Sequence, residues 1–544
     1  MKQIISIGLV LTSFAIPLFA QASDTSSFDS QIELPDLTTV VTGGDDTIDY
    51  APPPSFEDVL DMPYDSGDLV PVLPSVSVSD DSELDATGRQ ATDKDIYAEG
   101  KIGGGYPASF TGDFEISRLY GADPFKISFT HESTAGFAGH NLADGFKESR
   151  TAILLEKDFI RHDLRWGFSG QYEDIGNGLQ SKVEGITANN QDSAIISGDL
   201  LWSLPYGFSL GFAVDSRFYF RFADITKAST QGIEIPSSIK NTSRITADPQ
   251  LDFAWTYNGF KIALDAKYDL EAWTKASNRG QFDLNFSWGN DKINLFAQGG
   301  IVIGNYIGNN EVIAPFALGL DASLPVYFSD RKLDLALSGG LKSIRNTTSE
   351  LEHNYKFSGL EELSGETSDW FGSFSLLVPL KTSFTGSFAV GYEQTAFDNG
   401  YWAPQYIPDT LNCGLYGFAV KNRMELYTDF AFTWKYKLFA ASAKYHANWM
   451  DLPALENKHT ISVNFGLQSQ KGLWGISLDT DYLLDSADSK PIINLEGYIQ
   501  ATSSVRVVLS VNDMLKLLGA EERLYAGQYA ANSGKAVLLV KFLF

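Results

Sequence analysis

The feature that most constrains the fold is a two-residue alternation of apolar and polar side chains, which recurs along the chain from Ile96 to Phe544. In the stretch Gln281–Trp288 every even position is apolar and every odd position is polar, which is the pattern of a strand with one oily and one hydrophilic face. Such stretches number roughly 22, each about 9–14 residues long, which is the length with which a tilted strand crosses a bilayer. Helical periodicity is almost absent.

The connections between these stretches alternate in length. Tight turn sequences such as Tyr257-Asn258-Gly259 and Gln470-Lys471-Gly472 follow the even-numbered stretches, and long polar segments follow many of the odd-numbered ones. Short turns on one rim and long loops on the other are typical of bacterial transmembrane barrels, whose tight rim faces the periplasm. Both chain ends are then periplasmic, and the strand count must be even. The long segments are predicted at about 133–147, 173–191, 223–241, 346–367, 396–421 and 514–533.

The predicted fold class is therefore all-β, a transmembrane antiparallel up-and-down β-barrel of about 22 strands in the outer membrane. Tryptophans near both ends of the stretches, such as Trp255 and Trp449, match the aromatic belts of such barrels. A large soluble sandwich or propeller is the alternative. It is disfavoured because it does not need two unlike rims and because no repeat of blade length is evident.

Composition excludes several classes of function. The 41 Lys and Arg against 68 Asp and Glu give a net charge of −27, so no basic surface is available to bind nucleic acid. A single cysteine, Cys413, rules out an internal disulfide and a thiolate cluster for zinc or iron. No metal and no cofactor is predicted.

The first 95 residues read as two segments that precede the barrel at 96–544. Residues 1–22 have a basic start, a short apolar run and the small residues Ala20 and Ala22, and they predict a secretory signal peptide cut after Ala22. The alternative, a membrane anchor, is disfavoured because the run is shorter than the ~20 residues of a spanning helix. Residues 23–95 are acidic and rich in proline, and predict an extended periplasmic arm without a core of its own.

Two short motifs complete the pattern. Within the arm, Asp36-Leu37-Thr38-Thr39-Val40-Val41 is a less polar, β-branched stretch that can pair as a strand. At the chain end, the last strand carries Phe542 and the terminal Phe544 on one face, similar to the strand that barrel-assembly machinery recognises. With the strand count, these motifs resemble the TonB-dependent receptors of outer membranes. The resemblance implies solute uptake, a TonB-like energising partner that pairs with Asp36–Val41, and surrounding outer-membrane lipid.

One departure from that family is large. Its members carry a folded plug between the barrel and the TonB box, the short segment that Asp36–Val41 resembles. In this chain only the acidic arm lies between the two. A barrel of this size is too wide to be filled by its own wall side chains. Lumen-facing acids such as Asp265, Asp283 and Asp479 are expected to repel the arm. The lumen is therefore predicted to hold either a separate periplasmic protein or long loops folded inward, with the arm left outside as a docking tail.

An enzymatic alternative rests on the third strand. His131 and Ser133 share the lipid-facing side near the long-loop end, where outer-membrane phospholipase A and the lipid A deacylases carry a similar His-x-Ser. The group that would orient the histidine is open between Asn141 and Asp144. The competing interpretation is a polar rim at the lipid headgroups, so the chain is predicted not to be an enzyme. A passive porin or a scaffold for a partner protein remains the third alternative.

Overall fold

The computed structural model describes most of the predicted barrel region. The described residues are 96–118, 123–182, 186–225, 241–272, 276–290, 292–306, 309–325, 332–360, 365–381, 383–396, 401–405, 415–450, 458–484, 490–520, 522–525 and 528–543. The predicted signal peptide, the acidic arm with Asp36–Val41, and the terminal Phe544 lie outside them. Among the described residues, no helix is long and apolar enough to cross a membrane.

Nearly all described elements are strands. They are β1 (Tyr97–Tyr106), β2 (Ala108–Arg118), β3 (Phe125–Ala135), β4 (Lys147–Arg161), β5 (Leu164–Gly178), β6 (Ile186–Leu204), β7 (Phe208–Ile225), β8 (Thr242–Tyr257), β9 (Phe260–Ala272), β10 (Ala276–Asn290), β11 (Ile293–Tyr306), β12 (Asn309–Ile313), β13 (Phe316–Pro325), β14 (Lys332–Arg345), β15 (Glu366–Lys381), β16 (Phe384–Thr395), β17 (Tyr401–Gln405), β18 (Gly417–Lys421), β19 (Met424–Tyr436), β20 (Phe439–Asn448), β21 (His459–Gln468), β22 (Trp474–Leu483), β23 (Ile492–Thr502), β24 (Val505–Asn512), β25 (Leu524–Tyr525), β26 (Tyr529–Ala530) and β27 (Lys535–Leu543). Two short helices, α1 (Thr348–Asn354) and α2 (Met514–Leu517), and two 3₁₀ turns, Leu142–Asp144 and Pro205–Gly207, complete the set.

The main sheet closes on itself as an antiparallel barrel. The first strand, β1, pairs on one side with β2 and on the other with the last strand, β27, from Glu99 opposite Leu543 to Tyr106 opposite Ala536. Both β12 and β13 pair with β11, so they form one strand position interrupted at residues 314 and 315. The barrel thus has 22 strand positions, and the predicted fold class is confirmed.

The two-residue period places apolar side chains outside and polar ones inside. On β9 and β10, Leu264 lies opposite Leu284, and these side chains are 51% and 56% exposed on the outer face. The next pair, Asp265 and Asp283, points the other way, and Asp283 is only 4% exposed. Large apolar side chains exposed around the whole outer face suit lipid rather than water, which is why the hydrophobic content does not build a conventional core.

The two rims differ as the sequence predicts. On the short-turn rim, the turn between β8 and β9 has Asn258 at φ 46° and Gly259 at φ 80°, the pair of left-handed residues that a two-residue hairpin requires. A Cβ on Gly259 would lie 2.4 Å from the carbonyl oxygen of Gly289 in the neighbouring turn, so the residue must be glycine. On the long-loop rim, the connections after β3, β14, β16 and β24 are all longer than ten residues.

Three predicted long loops contain more regular structure than expected. The loop predicted at 173–191 shrinks to residues 179–185, because β5 and β6 continue and pair as far as Gly178 opposite Ala188. The lumen-facing polar residues of this stretch, Glu173, Asn177, Asn189 and Gln191, are buried. The segment predicted at 396–421 contains the hairpin of β17 and β18, and the segment at 514–533 contains α2 and the hairpin of β25 and β26.

Candidate functional site

The connection between β14 and β15 folds into the lumen instead of outward. We call residues 346–360 the inward segment. It begins with Thr347, which caps α1 in a reciprocal arrangement with Glu350, and this capping box stabilises a helix of only seven residues. One face of α1, including Leu351 and Glu352, is buried.

The far end of the inward segment reaches the opposite wall. The ammonium group of Lys356 forms an ion pair with Glu148 of β4, and β4 lies ten strand positions from β15 in the barrel of 22. At the base of the segment, residues Glu366 to Asp369 are four consecutive buried residues, although a barrel wall buries only alternate ones. The end of the β14–β15 hairpin is therefore enclosed on both faces, and the segment crosses the lumen.

The most buried contact of the inward segment is with β7. Arg221 Nη1 lies 2.5 Å from Glu352 Oε1, the Tyr219 hydroxyl donates to Glu352 Oε2, and the Leu360 amide donates to Oε1 at 2.7 Å. Arg221 and Glu352 are each 1% exposed. Burial raises the pKa of Glu352, while Arg221, the Leu360 amide and Tyr219 act in the opposite direction. We call Arg221, Tyr219 and Glu352 the β7 seat.

A second set of charges holds the base of the inward segment. The Thr348 amide donates to Glu271 Oε1 of β9 at 3.2 Å, and Arg345 approaches the other oxygen of the same carboxylate to 3.8 Å. Arg279 of β10 donates to Asp269 at 2.8 Å and to Glu366 at 2.9 Å. Because these groups are buried, loss of one partner leaves the charge of the other uncompensated. Substitution of any one of them is therefore strongly destabilising.

An apolar cluster covers the inward segment on the long-loop side. Phe357 stacks on Tyr529 with ring centroids 3.9 Å apart and 7° between the planes. Backbone hydrogen bonds join Tyr416 to both Phe357 and Gly359, and Gln180 makes two hydrogen bonds to the backbone of Ala530. Four connections of the long-loop rim therefore meet over the lumen. The cluster consists of Leu179, Ile186, Phe357, Leu415, Tyr416 and Tyr529.

The lumen nearer the short-turn rim is acidic. Asp252, Asp265 and Asp283 lie directly opposite one another on β8, β9 and β10, and like charges in such positions repel. Neither Asp252 nor Asp265 has a Lys or Arg ion-pair partner among the described residues. Side-chain amides donate to all three carboxylates: Gln250 to Asp252 at 2.9 Å, Asn285 to Asp265, and Gln281 to Asp283. Nowhere in the described ranges do three or more His, Cys, Asp or Glu side chains form a metal-holding group.

The histidine and serine of β3 do lie together on the outer face. His131 Nε2 is 3.2 Å from Ser133 Oγ, and His131 Nδ1 is 2.8 Å from Thr151 Oγ1 of β4. Both hydrogen-bond partners of the histidine are thus hydroxyls, and neither Asn141 nor Asp144 forms a hydrogen bond or an ion pair with it among the described residues. A threonine hydroxyl carries no charge with which to stabilise an imidazolium, unlike the carboxylate of a catalytic triad.

The remaining predicted site residues are placed only in part. Phe542 lies in β27, opposite Gly100 of β1 and Val505 of β24, where the barrel closes. Asp36–Val41 and Phe544 lie outside the described residues, so their roles stay predictions. The β7 seat was not predicted. The available signal was the sequence Thr347-Thr348-Ser349-Glu350, which has the spacing of a capping box.

Comparison with known proteins identifies the fold. No family model and no curated protein matches the sequence. Among solved structures, the FrpB iron transporter from Neisseria meningitidis is similar with a TM-score of 0.62 and 8% identity, covering 84% of this chain and 83% of that chain. The copper transporter OprC gives a TM-score of 0.60 with 10% identity, covering 83% and 80%. The ferric enterobactin receptor PfeA from Pseudomonas aeruginosa, in a mutant form, gives 0.58 with 9% identity, covering 84% and 81%.

At such identities the similarity establishes the fold alone. The chain has the 22-stranded barrel fold of the TonB-dependent receptors, and the predicted resemblance is confirmed at that level. The fold supports an outer-membrane location.

Proposed function

We propose that the chain is an energised uptake barrel of the outer membrane, with its long-loop rim at the cell surface and both chain ends in the periplasm. The observation that carries the proposal is the closed barrel whose lumen is crossed by the inward segment. Its outer face suits lipid, its fold is that of proteins described as an iron transporter, a copper transporter and a ferric enterobactin receptor, and its long-loop end is covered. Because the covered long-loop end restricts free diffusion through the lumen, this arrangement favours energised uptake over a passive porin.

The proposed energising partner is a TonB-like periplasmic protein that pairs with Asp36–Val41 as an added strand. The acidic arm, residues 23–95, serves as the tether that presents this segment outside the barrel. The inward segment fills part of the lumen that the folded plug occupies in the TonB-dependent receptors. Barrel-assembly machinery is proposed to recognise the closing strand through Phe542 and Phe544. The chain is proposed not to be an enzyme, and the His131 and Ser133 pair to belong to the polar rim.

A binding experiment tests the energised function. The full chain in detergent is titrated with the purified C-terminal domain of a TonB-like protein, and binding is measured by calorimetry. Val40→Pro removes a backbone donor that strand pairing needs, so binding is expected to be lost. Val76→Pro makes the same change elsewhere in the arm and is expected to bind as the natural chain does.

The matching test of the passive alternative is conductance in planar bilayers. The natural chain alone is expected to show only low conductance in potassium chloride, because the inward segment crosses the lumen. A large, steady conductance together with no binding of the TonB-like domain would show that the chain is a porin.

A further inference from the structure

We propose that Glu352 is a built-in competitor that occupies a carboxylate-binding site on the barrel wall, and that the solute taken up carries a carboxylate group that displaces it. The wall site is formed by Arg221 and Tyr219 of β7. This inference rests on the proposed uptake function and names the chemical class of the solute.

The geometry of the β7 seat is that of carboxylate recognition. A guanidinium, a phenol hydroxyl and a backbone amide converge on the two oxygens of Glu352. Donors of these kinds are the ones that proteins use for ionised carboxylates, and the charge-assisted bond from arginine is the strongest of them. The whole contact is shielded from water, which strengthens each bond.

The division of these donors between wall and loop decides what happens when the inward segment withdraws. Arg221 and Tyr219 belong to β7 and stay in place, whereas the Leu360 amide belongs to the segment and leaves with Glu352. The wall then keeps a guanidinium and a hydroxyl directed at a position where a carboxylate was. A carboxylate from another source can accept from the same guanidinium and hydroxyl, and so takes the place of Glu352.

The surrounding wall is also basic at this height. Arg217 lies two residues before Tyr219 in β7 and on the same lumen side. It donates to Ser349 of α1 at 2.9 Å. Arg244 of β8 acts electrostatically on Glu352 and lies 4.0 Å from Glu271. The inward segment therefore covers three wall arginines, of which Arg244 is already opposed by the wall carboxylate of Glu271. Arg217 and Arg221 are the ones that attract an anion when the segment withdraws.

Toward the short-turn rim the wall becomes acidic: Asp215 of β7, six residues along the strand from Arg221, lies opposite Asp248 of β8. Asp252 lies opposite Gly211 of β7, ten residues along the strand from Arg221, which corresponds to roughly 30 Å. The repulsion from Asp252 and Asp265 keeps an anion from diffusing onward. Arg221 is thus the place at which such a solute is held until the energising step.

A stabilising role alone does not account for this choice of residues. A buried ion pair adds little net stability compared with apolar side chains of the same volume. An ion pair differs from an apolar contact in that another carboxylate can replace Glu352 as the partner of Arg221. Glu352 is the member of the pair that lies on the inward segment.

The experiment measures succinate binding to the full chain in detergent by calorimetry, with butane-1,4-diol as the uncharged analogue. Glu352→Ala removes the competitor and is expected to bind succinate at least tenfold more tightly than the natural chain, with no binding of the diol. His353→Ala, on the same helix but half exposed, is the matched control and is expected to behave as the natural chain. Heat-modifiable mobility in gel electrophoresis verifies that each variant is folded.

A second variant locates the site. In Glu352→Ala with Arg221→Gln the gain is expected to disappear. Should that pair fail to fold, Glu352→Ala with Tyr219→Phe keeps Arg221 and removes only the hydroxyl donor, and it is expected to bind about tenfold more weakly than Glu352→Ala alone. Equal affinity of the natural chain and Glu352→Ala, or retention of the gain in the double variant, overturns the inference. Binding of the TonB-like domain is measured separately, so failure here is distinguishable from failure of the uptake function.

Discussion

Phe357 is the residue whose loss should loosen the cover of the lumen most. It is 1% exposed and stacked on Tyr529, so Phe357→Ala removes the stacking and leaves a cavity, for which about 3 kcal/mol is a low estimate. The backbone of Phe357 is in the left-handed region, at φ 60°, where alanine is strained as well. The substitution therefore brings no compensating relief, and 3 kcal/mol corresponds to about a hundredfold larger population of the released segment.

Hydrogen exchange measured by mass spectrometry reports this population directly. The amides of Gly359 and Tyr416 are bonded across the contact that Phe357 anchors, and we expect them to exchange about a hundredfold faster in Phe357→Ala through local opening. Amides of β22 and β23, which lie outside the cluster, are expected to be unchanged. The reasoning is refuted if the two amides exchange at the natural rate, or if exchange rises equally throughout the barrel.

Two further substitutions test the barrel itself. Gly105→Val in β1 should prevent closure, because a Cβ there would lie 1.9 Å from the carbonyl oxygen of Ala536 in β27; the loss of heat-modifiable mobility measures this, and Gly100→Ala, whose Cβ would have only ordinary contacts, should keep it. Ser133→Ala should not alter the behaviour of the chain with phospholipid, and neither form should release fatty acid; release by the natural chain that vanishes in Ser133→Ala would identify the His131 and Ser133 pair as catalytic.

The barrel was predictable because its determinants are local. In a strand such as β10, the alternation of apolar and polar residues predicts which side chains lie on each face. The dipeptide Asn258-Gly259 likewise predicts a two-residue hairpin turn. Neither requires knowledge of any other part of the chain. Once the strand number and the unlike rims are known, the antiparallel neighbours follow from sequence order, and closure follows from the need to leave no unpaired edge in lipid.

The β7 seat was not predictable because its determinants are distant. Arg221 and Glu352 are 131 residues apart, and each looks ordinary in its own surroundings, one as a polar position on a strand wall and the other as an acid in a polar loop. The residues from Glu366 to Asp369 are all polar, so the sequence predicts a solvent-exposed loop there. Only the structure shows that all four are buried. Inward folding depends on pairing between elements, and alternation carries no information about it.

The lumen carboxylates fall into two groups, which sharpens the argument about the arm. Near the inward segment, Asp269 and Glu366 share an ion pair with Arg279, and Asp269 has a second one with Lys267. Asp252 and Asp265, nearer the short turns, have amide donors and no Lys or Arg within ion-pair distance among the described residues. Amides donate hydrogen bonds but cancel no charge. An arm with 17 acidic residues between positions 24 and 93 would meet this unneutralised part of the lumen first if it approached from the short-turn rim. This repulsion supports the proposal that the arm serves as a tether outside the barrel and presents Asp36–Val41 to a periplasmic partner.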